Sequence, residues 1–132
     1  MSAENHQRKI IEYWRKLSEY DFGTAKNLFE AKRYPYCLFF CHLAIEKILK
    51  ALVVREILEH APYTHNLVDL AKKTNLDFSE EQKTLLADLT EFNLEARYPE
   101  WKKEFYKKAT KAHASAYLNE TARLRLWLKK QL

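Results

Sequence analysis

Pro35-Tyr36-Cys37-Leu38-Phe39-Phe40-Cys41-His42-Leu43-Ala44-Ile45-Glu46-Lys47-Ile48-Leu49-Lys50-Ala51-Leu52-Val53-Val54 is apolar on almost every side when wound into a helix. A helix that is hydrophobic all round has to be covered all round. In a chain of 132 residues, that predicts a rod central in a bundle or shared with a second subunit. Pro35 suits the first turn of a helix, where its missing N–H is not needed. Arg33-Tyr34 before it reads as a break, since the residue preceding proline avoids the α region. The rod is expected from Pro35 to about Glu59, roughly 38 Å at 1.5 Å per residue. That length suits an elongated up-and-down arrangement.

Upstream, a helix is expected from about Arg8 to Lys32, with Ile10, Trp14, Leu17, Ala25 and Leu28 recurring at helical steps on one face. Asp21 interrupts that stripe. Gly23 sits mid-helix at a cost of about 1 kcal/mol relative to Ala, which predicts the close approach of a neighbouring helix. Downstream, Ala61-Pro62-Tyr63 breaks the chain, and Thr64 is the expected N-cap of a short helix carrying Leu67, Leu70 and Ala71. After a loop at Asn75-Leu76-Asp77-Phe78, Ser79-Glu80-Glu81-Gln82 reads as a capping box. It opens a helix with Leu85, Leu86, Leu89 and Phe92 on one face, closed by Tyr98-Pro99. The last helix is expected from near Lys102 to Lys129, with Phe105, Ala109, Ala112, Ala116, Leu124, Trp127 and Leu128 inward. The expected fold is all-α: one domain over residues 1–132, an up-and-down bundle of four long helices plus one short helix.

Composition agrees. One Gly and three Pro are too few for the turns of an all-β chain, and 47% apolar with 31% charged residues is globular rather than disordered. No uncharged apolar run reaches the roughly 18 residues of a membrane span. The N-terminal residues lack the apolar core of a signal peptide, so a cytoplasmic protein is expected. Cys37 and Cys41 lie one helical turn apart, but no second pair completes a tetrahedral zinc site. They read as small core residues, and neither metal nor cofactor is expected.

Chemistry is expected where polar groups interrupt the greasy rod. His42, Glu46 and Lys50 recur every fourth residue and form one ridge, with Lys47 beside it. Burying them unpaired would cost several kcal/mol. They therefore form an internal network, with Asp21 a candidate member, or face a ligand or partner. Arg55 and His60 near the rod's end would supply an anion holder and a proton carrier, or are simply solvated helix-end charges. His65 follows a cap, at a helix start that favours anions. Arg97 offers bidentate contacts to phosphate and Tyr98 a ring to stack, although each also serves as an ordinary loop anchor. Residues 101–132 carry a net charge of +7 against −2 elsewhere. Lys102, Lys103, Lys107, Lys108 and Lys111, interleaved with Trp101 and Tyr106, form either a solvated face or one that meets RNA phosphates.

Three motifs occur in an order resembling HEPN-domain proteins. Tyr34-Pro35-Tyr36 through His42, Ala44, Glu46-Lys47 and Leu49-Lys50-Ala51-Leu52 is similar to that family's signature helix. Thr64-His65-Asn66-Leu67 is similar to its T-H-x-L segment, and Glu95-Ala96-Arg97-Tyr98-Pro99 to its E-A-R-Y-P segment; Asp21 and Ala25 match the first helix. The resemblance implies a bundle of four or five helices, often homodimeric, acting beside a small nucleotidyltransferase as an accessory or toxin–antitoxin-type partner. It implies nucleotide binding, for which Lys47, Lys50, His65, Arg97 and Tyr98 are the expected contacts, with Asp21, His42 and Glu46 as a polar ridge or interface. One branch of the family consists of toxin ribonucleases with an Arg and a His four to six residues apart. Arg55 and His60 match that spacing, but Glu56 follows the Arg, and Pro62 stands where some toxins carry a modified Tyr. A metal-independent ribonuclease is thus the rival implication, and a purely structural dimeric subunit the third.

Overall fold

The apolar segment forms α2 (Tyr34–Ile57), and its covering comes from the same chain. In the computed structural model, which describes residues 2–132, five further helices surround or flank it: α1 (Ala3–Glu30), α3 (Leu67–Lys72), α4 (Glu80–Arg97), α5 (Pro99–Lys108) and α6 (Lys111–Gln131). α1, α3, α4 and α6 all pack on α2. Leu38, Ile45, Ile48, Leu49 and Leu52 are wholly or almost wholly withdrawn from water, each contributing about 1.5–3 kcal/mol of hydrophobic burial. The described residues contain no strand, and none of their helices is long and apolar enough to cross a membrane.

α1 and α2 pair antiparallel around a tight turn in which Arg33 N–H donates to the Leu28 carbonyl at 2.8 Å. Polar ties reinforce the pair. The buried Ser18 hydroxyl donates to the Ala44 carbonyl at 2.7 Å, and Lys47 bonds Asp21 at 2.8 Å. The capping box at Ser79 is present in both directions, with Gln82 returning to the Ser79 N–H.

Several boundaries differ from expectation. α1 begins at Ala3 rather than Arg8 because Ser2 caps it, accepting from Asn5 N–H at 3.2 Å; this polar first turn carries no apolar stripe to betray it. α2 stops at Ile57 rather than Glu59, as Leu58 turns left-handed at φ 59°. The cap of α3 is Asn66, which accepts from Asp69 N–H, whereas Thr64 accepts from Asn66 N–H one step earlier. The expected last helix is two helices. The chain breaks at Ala109, and Thr110 caps a fresh start by accepting from His113 N–H at 3.2 Å. That restart changes the helical phase, so Ala114 is buried while Ala112 and Ala116 face solvent. Gly23 meets nothing: a Cβ built there has no atom within 4 Å, so no neighbouring helix approaches it closely.

Candidate functional site

His42, Glu46 and Lys50 lie in the ridge that their spacing requires, all buried. The loop between α2 and α3 closes over them. His42 Nε2 lies 2.8 Å from the His65 carbonyl, and His65 Nδ1 lies 2.9 Å from Glu46 Oε1. Lys50 donates to the other oxygen, Oε2, at 3.0 Å, and its ammonium sits 5.2 Å above the Trp14 ring of α1. From α4, Asn93 reaches His42 Nδ1 at 3.4 Å, and Arg97 Nη2 reaches His65 Nε2 at 3.4 Å. The loop is also fastened by Leu67 N–H, which donates to Thr90 of α4.

These contacts define the protonation pattern. Burial pushes the His42 ring down to about 4, against the pull of the His65 carbonyl and Glu46, so it is neutral near pH 7. Its Nε2–H donates to the carbonyl, leaving Nδ1 to accept from Asn93. Burial works to raise the Glu46 carboxyl, but hydrogen bonds from His65 and Lys50 outweigh it and hold the group below its ordinary range. The carboxylate is therefore charged, and its charge is matched by the Lys50 ammonium.

The network is enclosed at its base and open at its rim. The Glu46 side chain is 3% exposed and that of His65 52%, and Arg97 and Tyr98 both face solvent. The Tyr98 ring stands edge-on to Trp101, 5.5 Å between centres. A cleft of about 520 Å³ lies between α4 and α5, lined by Thr90, Leu94 and Trp101 together with Glu91, Glu95, Glu104 and Lys108; Thr90 and Leu94 share a helical ridge with Arg97. A larger hollow of about 760 Å³ lies between α4 and α6, lined by Glu80, Glu81, Asp88 and Glu120 with Arg123 among them.

Of the expected contacts, the structure brings His65, Arg97 and Lys50 into one network with His42 and Glu46. Lys47 is elsewhere, paired with Asp21 in a contact that ties α1 to α2. Lys50 is there but buried beneath the rim. α3 is only six residues long, so the site rests on side chains rather than on a helix end. Asn93 was missed because a lone amide beside Leu89 and Phe92 carries no periodic signal. Ser18 was hidden in the same way on α1, while Trp14 showed in the apolar stripe of that helix but not as a partner of Lys50.

Arg55 donates to the Gln131 carbonyl at the end of α6, while His60 lies beyond the end of α2, exposed, with Nδ1 3.4 Å from the Ala61 carbonyl. Lys107 and Lys108 pair with Glu104 and Glu95, and Lys102 lies over the Tyr106 ring. Cys37 and Cys41 are buried free thiols, Cys41 pushed well above its ordinary range by Cys37 and by burial. No cluster of three potential metal ligands exists among the described residues.

Comparison with known proteins agrees with this architecture. TT1696 from Thermus thermophilus superposes with a TM-score of 0.79 at 17% identity, over 92% of this chain and 98% of its own. ST0689, an archaeal HEPN homologue, superposes with a TM-score of 0.74 at 22% identity, over 92% and 96%. At such identities the likeness is one of fold. No curated protein matches the sequence. The pattern of the HEPN domain matches residues 11–131, nearly the whole chain, and the protein therefore belongs to the HEPN domain family.

Proposed function

We propose that this chain is a nucleotide-binding HEPN module that works, as a homodimer, as the accessory or toxin–antitoxin-type partner of a small nucleotidyltransferase. The observation that carries the binding reading is the stack of three groups at the rim: an exposed Arg97 guanidinium seated on His65, which is seated on the buried Glu46 carboxylate. Arg97 spends one N–H on His65 and keeps the rest of its planar fork for a phosphate. Tyr98 and Trp101 offer rings to a base. Lys50 holds the site from below by neutralising Glu46, whereas Lys47 is spent on Asp21 and ties α1 to α2. The partnership with a nucleotidyltransferase follows from the family alone.

Titration with ATP and GTP tests the binding reading. A ligand present at a hundred times its Kd stabilises the folded state by about 2.7 kcal/mol, so melting should shift upward by several degrees. An unchanged melting temperature at millimolar concentrations of both nucleotides would overturn it.

A further inference from the structure

We propose that the His65–Arg97 pair selects ligands that end in a phosphate monoester, and that it captures the phosphate together with one proton bridging to His65 Nε2. This rests on the nucleotide reading above and specifies which part of the nucleotide is gripped.

His65 is fixed from both sides. Its Nδ1 faces Glu46 Oε1 at 2.9 Å, and since a carboxylate only accepts, the hydrogen is on Nδ1. Its Nε2 faces Arg97 Nη2 at 3.4 Å, and since a guanidinium only donates, Nε2 presents a lone pair. That lone pair is occupied by the long 3.4 Å Arg97 contact, so a ligand reaches this proton acceptor by displacing the guanidinium N–H, which stays beside it as a strong donor. A phosphodiester or a carboxylate brings only lone pairs to such an acceptor. A phosphate monoester, with a second pKa near 6, brings a P–OH to Nε2 while its remaining oxygens accept from Arg97. The proton then passes from that oxygen to Nε2, leaving an imidazolium against a phosphate dianion; no bond to phosphorus changes.

Charge counting gives the same answer. The His65 ring meets Glu46 of α2 and Arg97 of α4, His42 of α2 holds its carbonyl, and Lys50 sits behind Glu46 on the other oxygen, over the neutral Trp14 ring of α1. Glu46 and Lys50 cancel and His42 is neutral, so Arg97 alone faces the ligand with one positive charge. A dianionic phosphate leaves one negative charge over, and a proton on His65 balances it.

Calorimetric titration of the full chain with AMP and with its 5′-methyl ester, in buffers of different ionisation heat, tests this. Near pH 7.5, above the phosphate pKa of about 6, AMP should bind about tenfold tighter than the ester and take up a fraction of a proton approaching one. Below the phosphate pKa the uptake should fade, because the ligand carries its own proton. His65→Gln places an amide that cannot titrate near Nε2; it should keep weak AMP binding while losing both the uptake and the preference. Equal affinity for the two ligands, or AMP binding without proton uptake, overturns the proposal and leaves nucleotide binding standing. If AMP, ATP and GTP all fail to bind, the proposal falls with the reading beneath it.

Discussion

His42 on α2 holds the backbone of His65 in the following loop, ring nitrogen to carbonyl at 2.8 Å. The same ring is held neutral, its value lowered to about 4 by burial first of all. Because the unfolded chain takes up a proton at the ordinary histidine value of about 6.5, the folded state binds fewer protons between these limits. The stability contributed by the shift is complete above about pH 6.5 and is lost as pH falls toward 4, a change on the order of 3 kcal/mol. Glu46, also lowered, adds a loss of the same sign at still lower pH. Denaturant melts across this range should show the decline, and His42→Gln should flatten it from a lower starting stability.

Glu46→Gln leaves the Lys50 ammonium buried without a counter-charge. Removing one partner of such a pair costs about 3–5 kcal/mol, so the variant should melt far below the parent. Adding Lys50→Met should recover much of the loss, because the stranded charge goes too. A double-mutant cycle by urea denaturation checks this; equal stability of the single and double variants would contradict it.

Arg97 and Lys47 should separate function from stability. Arg97 is exposed, so Arg97→Ala should change stability by no more than about 0.5 kcal/mol yet remove nucleotide binding. Lys47→Met breaks the 2.8 Å pair with the buried Asp21, and should cost about 1–3 kcal/mol while leaving affinity unchanged. Calorimetric binding and thermal melts on both variants decide the matter.

Arg55 donates to the Gln131 carbonyl at the α6 terminus and His60 lies past the end of α2 against the Ala61 carbonyl, each engaged with backbone. Incubation of the pure protein with total RNA should leave it intact, and His60→Ala should make no difference; cleavage that this substitution abolishes would reinstate the ribonuclease reading.

Gly23→Ala should stabilise the chain by up to about 1 kcal/mol, since the added methyl meets open space and the unfolded chain loses freedom. A fall in melting temperature would show that the position is under some other constraint.

The fold was largely legible because α2 leaves so little choice: an apolar rod of that length must be enclosed, and the breakers around it are unambiguous. What escaped were features with no periodicity. A polar first turn held by Ser2 looks like a tail, and the break at Ala109–Thr110 sits in a stretch whose composition is helical throughout. The ridge of His42, Glu46 and Lys50 was visible from spacing alone. Its partners were not, since the contacts of His65 and Arg97 span 19 and 32 residues of sequence and depend on how a loop lies across α2. Lys47 shows the limit most clearly: one residue from Glu46 in sequence, it turns to another helix.

The interruption that splits off α5 has a mechanical consequence. These ten residues pack chiefly against α4, where Phe105 is almost wholly enclosed and its ring meets Phe92 at 5.9 Å. Besides this contact, α5 is held by the Tyr106 hydroxyl on Tyr36 of α2 at 3.0 Å and by the Lys108 ion pair with Glu95 of α4 at 3.1 Å, both at or near the surface. Its amide hydrogens should therefore exchange well before those of α2, and because Tyr98 at its start follows Arg97 directly, local opening of α5 would loosen the phosphate-gripping end of the network.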